Sequence, residues 1–306
     1  MIWLHRYARL LAAATLLLVA AGGMVTSTNS GLSVPDWPTS YGYSMFSFPL
    51  SKMVGGIFYE HGHRLIASGV GLLTIGLVIF VWRVDPRAWM KRLSLVGLAA
   101  VILQGVLGGL TVRFMLPAPI SIGHAGLAQL FFCLTVSVAL FTSRTWIAPA
   151  APPVDDARLR SRALGLTALI YVQILIGATM RHLGAGLAIP DFPLAFGHVI
   201  PPTWTAQIAV HFTHRVVALI VVAGILANAG WIRGRYRGRP ELVRPSTWLI
   251  LAVLVQATLG ALVVLTAKQP VVNTLHVATG AIVLATSLVV TLRAFRVRFL
   301  LPARVS

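Results

Sequence analysis

Residues 93–113 read LSLVGLAAVILQGVLGGLTVR, and no charged side chain precedes Arg113 at the end of this stretch. The apolar residues form one block and show neither a two-residue period nor a single apolar face. An α-helix needs about 20 apolar residues to cross the hydrocarbon core of a bilayer. The stretch therefore predicts a transmembrane helix.

The rest of the chain shows the same pattern. Of its 306 residues 57% are hydrophobic and 10% are charged, and the mean hydropathy is +0.84. A soluble domain carries far more charge on its surface, so this composition excludes one. The sequence predicts an all-α membrane protein with eight transmembrane helices. Their expected positions are 8–28, 58–82, 93–113, 120–143, 163–181, 206–231, 247–266 and 273–294.

The net charge of +18 predicts an orientation in the membrane. Nineteen of the 25 basic residues fall in segments that eight spans place on one side. These segments are 1–9, 83–92, 144–162, 232–246 and the tail after 292. Because basic residues concentrate on the cytoplasmic side, we expect a multi-pass protein of the cell (inner) membrane with both termini in the cytoplasm. We expect the basic residues to meet anionic membrane lipid and no nucleic acid.

The chain contains an internal repeat. GLSVPDWP at 31–38 matches GLAIPDFP at 186–193, and QGVLGGLTV at 104–112 matches QATLGALVV at 256–264. An even number of spans in each half makes the repeats parallel, so a pseudo-twofold axis along the membrane normal should relate them. The sequence therefore predicts two tandem four-helix bundles, residues 1–150 and residues 151–306.

Four histidines occupy matching places in this repeat. His63, His124, His214 and His276 lie near the starts of spans 2, 4, 6 and 8, which all run in the same direction. An ionisable residue inside a span is costly and is a functional candidate by default. Two histidines from two helices of a bundle suit six-coordinate haem iron. We therefore expect one haem in each half; the alternative is hydrogen bonding between helices.

Other residues near these histidines leave more than one interpretation open. Five glycines either make room for a macrocycle or allow close helix packing: Gly105, Gly108, Gly109, Gly123 and Gly126. Four further histidines are expected not to be ligands: His5, His61, His182 and His198. Asp36 and Asp191 are expected to be turn or helix-capping residues, and the single cysteine, Cys133, is expected in the packed interior.

Glu60 is the only carboxylate at a span start beside a candidate ligand. It precedes His63 by three residues, so their Cβ atoms should lie about 5–6 Å apart on one helix face. Glu60 can accept a proton or stabilise positive charge, or it can orient His63 or pair with Arg64 or Arg215. Both arginines are expected either to meet haem propionates or, equally, to snorkel towards the membrane surface or cap a helix. His211 takes the place of Glu60 in the second half, which suggests that the first half carries out chemistry and the second relays electrons.

These motifs resemble the haem A synthase family of bacteria and mitochondria. The resemblance rests on EHGHR at 60–64, His124, HFTHR at 211–215 and His276 on a duplicated eight-span frame. It implies an oxidoreductase that converts the C8 methyl group of haem O into the formyl group of haem A, through successive hydroxylations and loss of water. It also implies residue roles: Glu60 as the catalytic residue, His63 and His124 for the substrate haem, and His214 and His276 for a haem b cofactor.

The resemblance also implies partners. Haem O synthase, a farnesyl transferase, would supply the substrate. The reaction also needs an electron donor, which the resemblance does not identify. It leaves open whether the chain forms a homo-oligomer. Many bacterial members carry a cysteine pair in the first long loop, but residues 29–57 contain no cysteine, so no role of that pair transfers. Two alternatives remain at this point: a di-haem membrane cytochrome of b type linked to quinol, and a transporter without cofactor.

Overall fold

A computed structural model describes residues 1–149 and 151–299, and its regular structure in that part of the chain is helical. Eight helices are long and apolar enough to cross a membrane. They are α1 (Ile2–Ser27), α2 (Gly55–Val84), α3 (Ala88–Arg113), α4 (Ala118–Phe141), α6 (Ala157–His182), α7 (Ala206–Arg235), α8 (Pro240–Leu265) and α9 (Pro270–Ala294). The short helix α5 (Arg144–Ile147) follows α4. The predicted all-α membrane protein is confirmed.

The helix starts differ from the predicted span starts. Helix α6 begins at Ala157, earlier than the predicted residue 163, because the side chain of Asp156 caps it by accepting from the N–H groups of Arg158 and Leu159. Helix α8 begins at Pro240 instead of residue 247, with proline at its first position. The prediction counted apolar residues, whereas these helices continue into polar flanks.

The helices pack as two matching groups of four. In the first group α1 contacts α2 and α4, and α3 contacts α2 and α4; in the second, α6 contacts α7 and α9, and α8 contacts α7 and α9. The groups meet through α1 against α9, α4 against α6, and α4 against α9. Helices α1, α4, α6 and α9 are therefore central, and α2, α3, α7 and α8 are peripheral.

Burial follows this division. Leu72 on α2, Leu219 on α7 and Trp248 on α8 are largely exposed, as side chains that face lipid must be in the isolated chain. Cys133 on α4 is buried in an apolar cluster that includes Leu166 of α6. The expectation that Cys133 is a packing residue is thus confirmed, and its cluster joins the two groups.

The two long loops, residues 28–54 and 183–205, contain the same aspartate turn. Asp36 accepts hydrogen bonds from the N–H groups of Tyr41 and Gly42, as Asp191 does from Phe196 and Gly197. Partial burial raises the pKa of Asp36, but these bonds and one from Thr39 lower it from 3.8 to about 2. Both aspartates therefore serve the turn, as expected.

Candidate functional site

The four candidate ligands lie at matching depths in their helices. His63 and His214 each follow the first residue of their helix, Gly55 and Ala206, by eight residues, or about 12 Å of helix rise. His124 and His276 follow the starts of α4 and α9 by six residues, about 9 Å. Each half thus presents one histidine from a peripheral helix and one from a central helix near the same end of the bundle.

Each of these imidazoles lies against a glycine of a neighbouring helix. A Cβ atom added to that glycine would stand 3.0–3.3 Å from the ring Cε1 atom, which is closer than nearly all real contacts. The pairs are Gly22 with His63, Gly108 with His124, Gly177 with His214 and Gly260 with His276. Since any larger residue would push the ring away, all four glycines make space for a ligand candidate.

The glycines that the sequence singled out have divided roles. Gly108 contacts His124, whereas Gly109 packs under the Trp37 ring from the first long loop. Gly126 allows α4 to approach Tyr171 of α6, which is the close-packing interpretation. A Cβ at Gly105 or at Gly123 would meet nothing within 4 Å. Both positions are exposed at the helix surface, so neither glycine belongs to a close helix contact.

The pair in the second half has the separation that one shared metal ion requires. The ring centroids of His214 and His276 are 6.5 Å apart, with the planes inclined at 69°. A metal–imidazole bond is about 2 Å long and the ring centroid lies about 1 Å behind the nitrogen, so two rings on opposite sides of one iron have centroids roughly 6 Å apart. The observed separation fits a haem iron between them.

The hydrogen bonds of the rings also fit ligands better than structural histidines. Nδ1 of His63, His124 and His276 is buried and has no hydrogen-bond partner within the described residues. Buried polar atoms normally have a partner, so these three Nδ1 atoms mark the rings as candidates for a ligand. Two rings also have an interhelical contact: Gln173 of α6 lies 3.1 Å from His214 Nδ1, and Gln256 of α8 lies 3.3 Å from His276 Nε2.

Glu60 and Arg64 attach the first long loop to α2. The Glu60 carboxylate accepts from Arg64 Nη2 at 2.7 Å through Oε1 and from the Val34 N–H at 2.8 Å through Oε2. Arg64 also donates to the carbonyl oxygens of Val34, Asp36 and Thr39. Of the roles left open, pairing with Arg64 is therefore present, and Arg64 holds loop carbonyls.

His211 and Arg215 form the matching attachment in the second half. His211 Nδ1 accepts from the Ile189 N–H at 3.2 Å, and Arg215 Nε lies 3.2 Å from His211 Nε2. Arg215 donates to the carbonyl oxygens of Ile189, Asp191 and Leu194. We call the two sets the loop anchors: Glu60 with Arg64, and His211 with Arg215. The second anchor has an imidazole where the first has a carboxylate. In both, the arginine donates to carbonyl oxygens of the long loop.

Two of the histidines that we expected not to be ligands have structural contacts. His61 is fully buried, packs on Phe48 with centroids 4.8 Å apart, and lies 2.9 Å from Ser40 Oγ. His5 contacts the Ala139 carbonyl.

Sequence reasoning missed Gly22, Gly177 and Gln173. The repeat offset of 155 residues could have paired the two glycines, but nothing local marks Gln173.

Comparison with known proteins gives a consistent result. Residues 42–288 match the family model COX15-CtaA, described as cytochrome oxidase assembly protein. The heme A synthase of Symbiobacterium thermophilum is 33% identical over 258 residues, covering 82% of both chains. Heme A synthase of Shouchella clausii is 31% identical over 258 residues (82% of this chain, 83% of the relative). The Caulobacter sp. protein of that name is 31% identical over an alignment of 327 positions, which covers 92% of each chain.

Proposed function

Because the chain belongs to the COX15-CtaA family of cytochrome oxidase assembly proteins, we propose that it is a haem A synthase that oxidises haem O. The family resemblance seen in the sequence is thereby confirmed, and the relatives' shared name supports a place in haem A biosynthesis. The proposed reaction converts the C8 methyl group of haem O into a formyl group. The single observation that carries the proposal is the paired imidazoles, each seated on a glycine.

In this proposal each half has its own haem. His63 and His124 hold the substrate haem in residues 1–150, and His214 and His276 hold haem b in residues 151–306. When bound, the haem irons supply the oxidation–reduction chemistry. The protein fixes the imidazoles at similar depths, each against a glycine of a neighbouring helix.

Glu60 is the proposed catalytic residue because of where its carboxylate is held. It lies one helical turn from His63, with its two oxygens fixed by Arg64 and by the Val34 N–H. A carboxylate oxygen has two lone pairs, so each oxygen can still accept one more hydrogen bond or a proton. The anchored carboxylate can therefore accept a proton that is released while the bound haem is oxidised, or stabilise positive charge that develops on it.

The cellular setting follows from the same proposal. We place both termini in the cytoplasm, on the evidence of the basic segments. That orientation puts the four histidines in the half of the bilayer away from the cytoplasm. The partners are haem O as substrate, haem O synthase as its source, and an electron donor that this chain does not identify.

The test is Glu60→Gln, co-expressed with a source of haem O. We expect haem A to disappear from the extracted pigments while the haem of the second half stays bound. Glu241→Gln is the matched control, because Glu241 pairs with Arg239 at the opposite end of the bundle; it should give normal haem A. Unchanged haem A in Glu60→Gln would overturn the catalytic assignment. Undiminished quinol oxidation by a protein that never makes haem A would favour the di-haem cytochrome instead.

A further inference from the structure

A shallow groove of about 390 Å³ lies at the end of the bundle opposite the four histidines. Phe141 lines it as the last residue of α4, 17 residues or about 25 Å of helix rise after His124. Helix α3 contributes Trp89, Arg92 and Val96, α9 contributes Leu292, and the short 3-10 helix Arg296–Phe299 contributes Phe299. The groove thus lies at the seam where α3 of the first group and α9 of the second flank α4.

The lining of the groove changes along α3. Trp89 and Arg92 stand near the start of this helix. The ring of Phe299 completes the rim, with its centroid 5.5 Å from that of Trp89 and 5.4 Å from that of Phe141. Val96 lies seven residues beyond Trp89, about 10 Å further along the helix, and is 53% exposed. A basic and aromatic rim beside an apolar channel matches the order of a phospholipid, whose phosphate lies at the membrane surface and whose acyl chains lie inside.

Arg92 supplies a charge that the protein leaves free. The ion pairs between described residues use Arg64, Arg87, Arg160 and Arg239. Arg87, which lies at the same end of α3, binds the Asp85 carboxylate and the Phe141 carbonyl. Arg92 is exposed and pairs with no carboxylate within residues 1–149 and 151–299. A guanidinium group suits the oxygens of a phosphate. Lipid tails fill any apolar groove in a bilayer, so this charge is what selects an anionic lipid.

The internal repeat supplies a comparison for this groove. The offset of 152 residues that relates α3 to α8 places Arg244 at the position of Arg92, Glu241 at that of Trp89 and Trp248 at that of Val96. The second half therefore keeps the arginine. It has a carboxylate, which repels a phosphate, in place of the rim indole, and a bulky indole in place of the valine. These differences favour lipid binding at the α3 position over the α8 position.

We propose that the groove binds one anionic phospholipid, with its phosphate at Arg92 and an acyl chain along Val96. Its walls belong to both groups of helices, since α3 is in the first and α9 in the second. The bound lipid therefore contacts both groups and stabilises the seam between them.

The experiment titrates the full-length protein, purified in detergent, with phosphatidylglycerol or with phosphatidylcholine. Binding is measured by native mass spectrometry and thermal unfolding in parallel. Phosphatidylglycerol should bind more tightly than phosphatidylcholine and raise the unfolding temperature, because a ligand of the folded state stabilises it. Arg92→Gln should weaken phosphatidylglycerol binding about 5-fold, the equivalent of roughly 1 kcal/mol for one basic residue near anionic lipid. It should leave phosphatidylcholine binding unchanged.

Arg244→Gln is the matched control, because it removes the same charge at the repeat position; it should bind phosphatidylglycerol as the parent does. Val96→Trp copies the second half and should weaken the binding of both lipids. If that variant does not fold, Arg92→Gln decides the question, since its exposed side chain takes part in none of the ion pairs. Equal affinity of the parent for the two lipids would overturn the proposal. So would an Arg92→Gln variant that binds phosphatidylglycerol as tightly as Arg244→Gln does.

Discussion

Replacing Gly177 by alanine tests whether the glycines that contact the four histidines are needed to make space for the imidazole rings. The new Cβ would stand 3.0 Å from His214 Cε1, whereas ordinary contact begins at 3.4 Å. The ring or the helix must therefore move by about 0.4 Å. Metal–ligand distances in a sound site hold to about ±0.2 Å, so this displacement is large enough to disturb an iron bond.

The size of the effect follows from overpacking. Forcing extra atoms into a tightly packed site costs about 1–3 kcal/mol. If this cost destabilises only the haem-bound state, it corresponds to roughly a 5- to 150-fold increase in the haem dissociation constant. The helix itself should gain, because alanine is more favourable than glycine inside a helix by roughly 0.5–1 kcal/mol. We therefore expect weaker haem binding without a loss of folding.

Gly165→Ala is the matched control on the same helix, since its Cβ would meet nothing within 4 Å. The assay measures haem content and haem loss to apomyoglobin beside thermal unfolding of the haem-free protein in detergent. Gly177→Ala should lose haem faster than the parent, and Gly165→Ala should not. If both variants hold haem equally well, the glycine does not make room for the ligand and the reasoning fails.

Two further predictions concern the loops and the orientation. The pKa of Asp36 is lowered from 3.8 to about 2 in the folded protein, so its turn is stabilised fully above about pH 4 and loses that stabilisation as the pH falls towards 2. The hydrogen-exchange protection factor of the Gly42 amide, which corrects for the intrinsic pH dependence of exchange, should fall over that window and stay constant between pH 5 and pH 7. A phosphatase reporter fused after Gly197 should be active and one fused after Arg237 inactive, because basic residues mark the cytoplasmic side; the reverse pattern would contradict the assigned orientation.

The sequence was sufficient for the helices but not for their ends. Apolar blocks about 20 residues long predicted all eight spans, because the bilayer sets that length. Helix α6 nevertheless starts six residues before the predicted span, where Asp156 caps it. Hydropathy reports what can be buried in lipid, and a polar cap contributes nothing to it.

The candidate site was only partly predictable for a different reason. The repeat identified His63 and His214 without a structure, because their positions recur. The contact of Glu60 with Val34 depends on how the first long loop folds back onto α2, and no local pattern encodes that path. The same holds for Gln173, which meets His214 only through the rotation of α6 against α7.

Comparison of the loop anchors supports a chemical role for Glu60. In the second half His211 accepts the Ile189 N–H and Arg215 holds the loop carbonyls. An imidazole is therefore sufficient to attach a long loop of this design, and the fold does not require a carboxylate. What Glu60 adds over the imidazole is a negative charge and two oxygens with free lone pairs. Since that difference lies one turn from His63 and leaves the attachment intact, it supports the proposal that a haem bound by His63 and His124 is the one that is chemically altered.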